Sequence, residues 1–164
     1  MPFTTLASEI WPGGHLPTLT HSFIKLLHDK GVLLRNYTQN IDGLEVLAGV
    51  PEEKIIECHG NFRSACCCDC GKTADIEHVR KSIVEDVTPP YCKSCGGLTK
   101  PDIVFFGEDL PGYFHRNIRG DTRAADLLIT IGTSLQVSHS EATHKEALRS
   151  RCRPLCSHTR TMFC

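Results

Sequence analysis

Apolar residues recur at helical spacing near the start of the chain, after a turn at Trp11-Pro12-Gly13-Gly14. This pattern predicts an amphipathic helix that begins at Thr18 or Thr20 and ends near Gly31, where a glycine suits the end of a helix. Its apolar face would consist of Phe23, Ile24, Leu26 and Leu27.

Three short apolar runs along the chain predict buried strands, at 32–37, 55–58 and 126–131, and a short helix is predicted at 45–48. Strands that alternate with helices favour a parallel sheet, whose ligands bind at the carboxyl ends of the strands. Each predicted strand is followed by polar or small residues. We therefore expect the three polar ends to share one edge of the sheet.

The chain length of 164 residues and an apolar content of 40% suit one domain of ordinary size with a small insert. We predict an α/β domain over 1–62 and 101–137, with a metal-binding module at 63–100. Residues 138–164 show little periodicity, apart from a weak helix signal from Ser140 to Arg149, and are predicted to form a divergent, poorly ordered tail.

Two C-x-x-C pairs lie within the predicted module: Cys67 and Cys70, then Cys92 and Cys95. Each pair can form a tight turn that directs two thiolates at one point, and Zn²⁺ bound by four sulfurs has no open position for chemistry. A structural zinc ion is therefore expected. Ordinary buried thiols and a redox pair are the alternatives, and Cys66 and Cys68 make the ligands of the first turn ambiguous.

Charge and composition exclude several classes of protein. The net charge is −1 and there is no lysine or arginine run, so the sequence does not predict a nucleic-acid-binding surface. No apolar run reaches the length of about 18 residues that a membrane span requires. The ten cysteines would suit a secreted disulfide framework, but there is no apolar signal segment, so we expect a soluble protein in a reducing compartment.

His59 is the first candidate for catalysis, because it follows a predicted strand and precedes a glycine. Histidine changes its charge near neutral pH and can act as a general base, although a structural or surface role is the alternative. Gln39, Asn40 and Asp42 follow another strand, where they could bind a ligand or cap the next helix. The group His139, Glu141 and His144 lacks the spacing of the H-E-x-x-H metal motif, so it is read as solvated polar residues.

Two further segments have a functional and a structural interpretation. Gly132, Thr133 and Ser134 follow a buried strand and could offer backbone amides and hydroxyls to a phosphate. Phe105 and Phe106 lie in an extended apolar segment, where they are either core aromatics or part of an edge that binds a peptide strand.

Five motifs in this order resemble the sirtuin family. They are Tyr37-Thr-Gln-Asn-Ile-Asp-Gly-Leu-Glu45, His59-Gly60, the two C-x-x-C pairs, Lys100-Pro-Asp-Ile-Val-Phe-Phe-Gly-Glu108 and Gly132-Thr-Ser-Leu135. The resemblance runs from about Pro2 to Val137. Leu26-Leu-His-Asp-Lys-Gly31 and the two-residue gap of the first C-x-x-C pair most resemble the branch of mitochondrial protein-lysine deacetylases.

This resemblance implies a partial Rossmann-like parallel sheet with helices and a small zinc-ribbon insert. It also implies an enzyme that consumes NAD to remove acyl groups from lysine in acetylated proteins or peptides, with nicotinamide and O-acyl-ADP-ribose as products. His59 would be the general base to a ribose hydroxyl. Residues implied to contact NAD are Gln39, Asn40, Ile41, Asp42, Gly132, Thr133 and Ser134; those implied to pair with the substrate peptide are Val104, Phe105, Phe106, Gly107 and Glu108.

The matching region begins beyond the glycine-rich phosphate loop of sirtuins and ends before their last strands. The sequence therefore leads us to expect weak deacetylase activity at most. The alternative function is a catalytically impaired isoform that acts as a zinc-containing interaction module. By resemblance the mitochondrial matrix is the favoured compartment, with the nucleus and the cytoplasm as alternatives.

Overall fold

The computed structural model describes residues 2–105, 107–133, 153–156 and 161–163. In chain order the helices are α1 (Pro2–Ile10), α2 (Leu19–Asp29), α3 (Leu44–Leu47), α4 (Ile76–Arg80) and α5 (Gly112–Ala124). The strands are β1 (Asn36–Thr38), β2 (Ile55–Glu57), β3 (Gly60–Cys67), β4 (Thr73–Ala74), β5 (Thr99–Ile103), β6 (Leu127–Gly132), β7 (Arg153–Cys156) and β8 (Thr161–Phe163).

Contacts between residues divide the chain into two compact units. Unit 1 consists of Met1–Leu16, Asn40–Gly43 and His59–Glu108. Unit 2 consists of Pro17–Gln39, Leu44–Cys58 and Asp109–Cys164. The short strands β7 and β8 lie in unit 2, within the C-terminal segment where the sequence shows little periodicity.

The amphipathic helix predicted from Thr18 is confirmed as α2 in unit 2. Thr18 is its N-cap, and the Thr18 N–H donates to Nδ1 of His21 over 3.0 Å, which satisfies one of the backbone donors left open at a helix start. Ile24 is fully buried and belongs to a core with Leu33, Val50 and Ile55, against which Ile129 and Ile131 of β6 also pack.

The strand predicted at 32–37 is wrong in its first part, because β1 starts only at Asn36. The N–H groups of Val32 and Leu33 both donate to the carbonyl of Leu27, over 3.0 and 3.2 Å, and so close the end of α2. Backbone donors used in this way cannot enter a strand ladder, and Val32 is 67% exposed.

The predicted parallel pairing is confirmed for two of the strands. β1 and β2 run parallel, with Asn36 opposite Ile55 and Thr38 opposite Glu57. β6 does not extend this ladder within the described residues; it pairs with β7 in parallel and with β8 antiparallel. The expected single sheet is therefore two sheets in unit 2, and the mixed α/β class is retained.

An ion pair in unit 2 joins β1 to α5. The Arg35 Nε donates to the Asp121 carboxylate over 2.9 Å, and the Tyr37 hydroxyl donates to the same oxygen of Asp121 over 2.6 Å. The Asp121 side chain is only 12% exposed, and the pKa of Arg35 is raised chiefly by its hydrogen bond to Asp121. This network fixes the strand that leads into residues 39–42.

Replacing Asp121 by alanine should lower the free energy of unfolding by about 2 to 3 kcal/mol, because the Arg35 guanidinium and the Tyr37 hydroxyl would lose their shared acceptor in a largely buried site. Urea denaturation at pH 7 measures this loss. Tyr37→Phe is the matched control and should cost about 1 kcal/mol. An Asp121→Ala chain within about 0.5 kcal/mol of the parent would show that the network is not stabilising.

Unit 1 contains the predicted cysteine module. β3 is the central strand of an antiparallel sheet in the order β4-β3-β5. α4 continues as one π-helical turn at Lys81–Glu85. Ala7 of α1, Ala65 of β3, Val79 of α4 and Ile83 form a small buried cluster, and Phe62, Cys67 and Ile103 are buried as well. The Trp11 ring lies against Phe62 with 4.8 Å between ring centroids.

Candidate functional site

The four predicted zinc ligands converge in unit 1. Their Sγ atoms all lie within 4.8 Å of one another, with 3.5 Å between Cys67 and Cys95 and 3.8 Å between Cys70 and Cys92. Four sulfurs at 2.3 Å around a tetrahedral Zn²⁺ would be separated by about 3.8 Å. The four thiols therefore fit one zinc ion that has no open coordination position.

Both C-x-x-C pairs adopt the same backbone turn. The Cys67 N–H donates to the carbonyl of Lys72, and the Cys92 N–H donates to that of Gly97, over 2.9 and 2.7 Å. The Cys70 N–H also donates to Cys67 Sγ over 3.5 Å. The group of converging thiols in the described residues includes Cys67 and Cys70 and does not include Cys66 or Cys68, which favours the predicted ligands of the first turn.

The thiol pKa values differ within the cluster. The pKa of Cys92 is lowered to about 6, first by the Ser94 N–H and then by the Cys95 N–H, and that of Cys67 is lowered first by the Cys70 N–H. The Gly97 N–H lowers the pKa of Cys95, but the neighbouring thiols of Cys67 and Cys70 raise it to about 12. The thiolate, the form that binds metal, is therefore favoured at Cys92 and Cys67 and not at Cys95.

Two cysteines outside the cluster also favour the thiol. Burial raises the pKa of Cys58 to about 12 and is the main cause that raises that of Cys66 to about 11.

The parallel register of β1 and β2 brings two of the predicted polar ends side by side. The Cys58 N–H donates to the carbonyl of Thr38 over 2.9 Å, so the two strands end at the same level. From these ends the chain continues into Gln39 and into His59. His59 is half-buried and belongs to unit 1, together with Asn40–Gly43.

His59 is tied to the segment that follows β5. The Val104 N–H donates to the His59 carbonyl over 2.8 Å, and Gly60 pairs with Ile103 across the β3–β5 ladder. Only the first part of the predicted extended segment is a strand, because β5 ends at Ile103. Beyond it the Glu108 N–H donates to the Phe105 carbonyl over 3.0 Å and closes a turn.

The remaining predicted site residues are placed as follows. Asn40 is exposed, Ile41 and Asp42 are half-buried, and all three lie in unit 1. Gln39, Gly132 and Thr133 lie in unit 2. Ser134 and Phe106 lie outside the described residues, as do His139, Glu141, His144 and the helix signal from Ser140 to Arg149. The roles proposed for these residues stay predictions.

Sequence analysis missed two groups that support the candidate site. One is Asp121, which binds Arg35 and Tyr37 beside the entry to residues 39–42. The other is Lys100, whose ammonium donates to the Glu108 carboxylate over 3.0 Å. Asp121 lies within α5 and Lys100 within β5, and no local pattern in the sequence identifies the partner of either residue.

Comparisons with known proteins identify relatives of this chain. The Sir2 family model matches residues 1–139. The chain is 51% identical over 140 residues to the NAD-dependent deacetylase sir2D of Dictyostelium discoideum, which covers 84% of this chain and 26% of that protein. It is 47% identical over 152 residues to the NAD-dependent protein deacetylase sirtuin-3 of Mus musculus, which covers 90% of this chain and 45% of that protein.

A third relative is the NAD-dependent protein deacetylase hst2 of Schizosaccharomyces pombe, at 48% identity over 151 residues, or 92% of this chain and 45% of that protein. The chain thus spans less than half the length of these three curated relatives. Within the described residues no helix is long and apolar enough to cross a membrane. The match over residues 1–139 and these identities confirm the resemblance: the chain belongs to the Sir2 family, the sirtuins.

Proposed function

We propose that the chain is part of an NAD-dependent protein-lysine deacetylase in which His59 is the general base. One observation carries this proposal: the hydrogen bond from the Val104 N–H to the His59 carbonyl joins the candidate base to the candidate peptide-binding segment. The names of the curated relatives support both the reaction and its use of NAD.

The residues of unit 1 would supply the polar groups near the reacting atoms. NAD would supply the ribose carbon that bonds to the acyl oxygen as its bond to nicotinamide breaks and nicotinamide leaves. The His59 imidazole would accept the proton of a ribose hydroxyl, which makes that oxygen nucleophilic. Asn40 would contact the ribose, and Asp42 with Ile41 would hold the nicotinamide carboxamide. Gln39, Gly132, Thr133 and Ser134 are proposed NAD contacts on sequence grounds.

Within residues 104–108 the N–H groups of Val104, Phe105 and Glu108 are already hydrogen bonded, so the substrate would pair, in the manner of an added strand, with the other main-chain groups of the segment. Main-chain hydrogen bonds carry little information about side chains, so acetylated lysine would be accepted in many sequence contexts. The Cys₄ cluster would hold a structural zinc ion, which would take no part in the reaction because four thiolates fill its coordination sphere.

The decisive experiment is a steady-state assay of the deacetylated peptide that forms from an acetyl-lysine peptide and NAD, because nicotinamide would leave before the step assigned to His59. His59→Ala should lower the rate by a factor of about 10² to 10⁴, because the ribose hydroxyl would lose its base. The matched control is His78→Ala, which removes an exposed imidazole of the same unit.

Equal rates for the parent and His59→Ala would contradict the proposed role of His59. If the parent bound the peptide without releasing nicotinamide, the second candidate would be supported: a non-catalytic module that recognises acetylated proteins. The observation that favours this second candidate is that the cysteine cluster and segment 104–108 belong to one compact unit.

The compartment and the protein partners are proposals as well. We propose the mitochondrial matrix, on the resemblance to the mitochondrial branch and the 47% identity to mouse sirtuin-3. Acetylated proteins are the proposed partners, and direct nucleic-acid binding is not expected at a net charge of −1. Fluorescence microscopy of the tagged protein beside a matrix marker tests the compartment.

A further inference from the structure

A lysine lies at the centre of the segment that follows β5. The Lys100 ammonium donates to the carbonyl of Ile103 over 2.6 Å and to the Glu108 carboxylate over 3.0 Å. It also lies 4.4 Å from the centroid of the Phe105 ring. Its side chain is only 16% exposed, so this ammonium is largely enclosed by the segment itself.

Glu108 closes the segment from its other end. Its carboxylate accepts the Phe105 N–H over 2.9 Å, while its own N–H donates to the Phe105 carbonyl over 3.0 Å. Gly107 between them has a φ of +90°, which a glycine adopts without strain. The Phe105 N–H is also the main cause that lowers the pKa of Glu108, which keeps the carboxylate charged at neutral pH.

These bonds fix the main chain on both sides of Val104. Ile103 and Phe105 are held by Lys100 and Glu108, and the Val104 N–H is held by the His59 carbonyl. A free segment loses backbone entropy for each residue that binding orders. The Val104, Phe105 and Glu108 N–H groups are occupied by these bonds, so a peptide would pair with other main-chain groups, and a segment already ordered avoids the entropy loss when it does so.

We propose that Lys100 and Glu108 are positioning residues that hold the main chain from Ile103 to Phe105 in the conformation that receives an acyl-lysine peptide. This inference rests on the proposed function and deepens it. The two side chains act through the main chain of the segment and do not take part in the chemical step. Their loss should weaken peptide binding and leave the fold and the zinc content of the chain unchanged.

The test compares peptide affinity with local order. Lys100→Met removes the charge and keeps an apolar stem against Phe105, and Glu108→Gln weakens the acceptor. Each should raise the dissociation constant for a fluorescent acetyl-lysine peptide about tenfold, measured by anisotropy. The Phe105 amide should exchange with deuterium about tenfold faster, because its acceptor is weakened or displaced. Lys100→Arg keeps the charge and should restore most of the affinity.

A double variant and a control pair sharpen the test. If the two residues form one unit, Lys100→Met with Glu108→Gln should weaken binding no more than the stronger single change. Arg80→Met breaks the ion pair of Arg80 with Glu85, an exposed pair of the same unit, and should leave peptide affinity within twofold of the parent. Zinc content and melting temperature should be the same in all variants.

Three outcomes would overturn the inference. Lys100→Met could bind the peptide as tightly as the parent, Arg80→Met could weaken binding equally, or the Phe105 amide could exchange at an unchanged rate. If the parent itself bound no acetyl-lysine peptide, the proposed function would fail and the peptide role would fail with it. Faster deuterium exchange of the Phe105 amide in the variants would then still show that Lys100 and Glu108 order the main chain at Phe105.

Discussion

Replacing Cys92 by serine should abolish stoichiometric zinc binding and unfold unit 1. The parent should purify with one zinc ion per chain, because its four thiols lie at the separations that a tetrahedral zinc site requires. Structural zinc sites contribute about 10 kcal/mol or more of apparent binding free energy. Serine supplies no thiolate, so the variant would keep three ligands and lose most of that energy.

The small core of unit 1 explains why this loss should unfold it. Its described core cluster has four buried residues, Ala7, Ala65, Val79 and Ile83, of which two are alanines, and Phe62, Cys67 and Ile103 are also buried in the unit. A core of this size rarely stabilises a unit without a metal or disulfides. Zinc would hold the turn after β3 against the turn before β5, so its removal should separate the two strands.

The matched control is Cys68→Ser. Cys68 lies between two of the clustered cysteines and is exposed, but its thiol is outside the group of four. Zinc should be measured by mass spectrometry of the purified chain, and unfolding by circular dichroism during titration with a chelator. The zinc hypothesis would be wrong if Cys68→Ser lost the metal as fully as Cys92→Ser, or if the parent contained none.

The features predicted from sequence are those encoded over a few residues. The two C-x-x-C turns could be predicted from the sequence because two ligands three positions apart must share one turn. His59 was predicted as a candidate catalytic residue because a polar residue here follows an apolar run and precedes a glycine, and its role stays a prediction. The capping of α2 at Thr18 has the same local origin, since His21 one turn later supplies the acceptor.

The features that were not predicted depend on residues far apart in the chain. Arg35 and Asp121 are separated by 86 positions, and no periodicity relates them. The turn at 105–108 was predicted as extended because its residues are apolar, whereas the Glu108 carboxylate and the conformation of Gly107 bend the chain. β1 began later than predicted because α2 uses the N–H groups of Val32 and Leu33.

Gly60→Ala should lower the free energy of unfolding by about 4 kcal/mol and displace His59. Gly60 has a φ of +75°, and an added Cβ would lie 1.9 Å from the Asp102 carbonyl oxygen and 2.9 Å from the Ile103 Cα. Both atoms belong to the backbone of β5, so no side-chain rotation can relieve the contact. β3 and β5 would have to separate directly beside His59.

Gly107→Ala is the matched control for this change. Gly107 also has a positive φ, of +90°, but nothing lies within 4 Å of its added Cβ. Gly107→Ala should therefore lower the free energy of unfolding only by the cost of placing an alanine in the left-handed backbone conformation, about 1 to 2 kcal/mol. Thermal and urea unfolding of both variants measure the difference, which isolates the contact with β5. Equal losses for the two variants would mean that the strands can separate at no cost and that the β3–β5 pairing does not fix the position of His59.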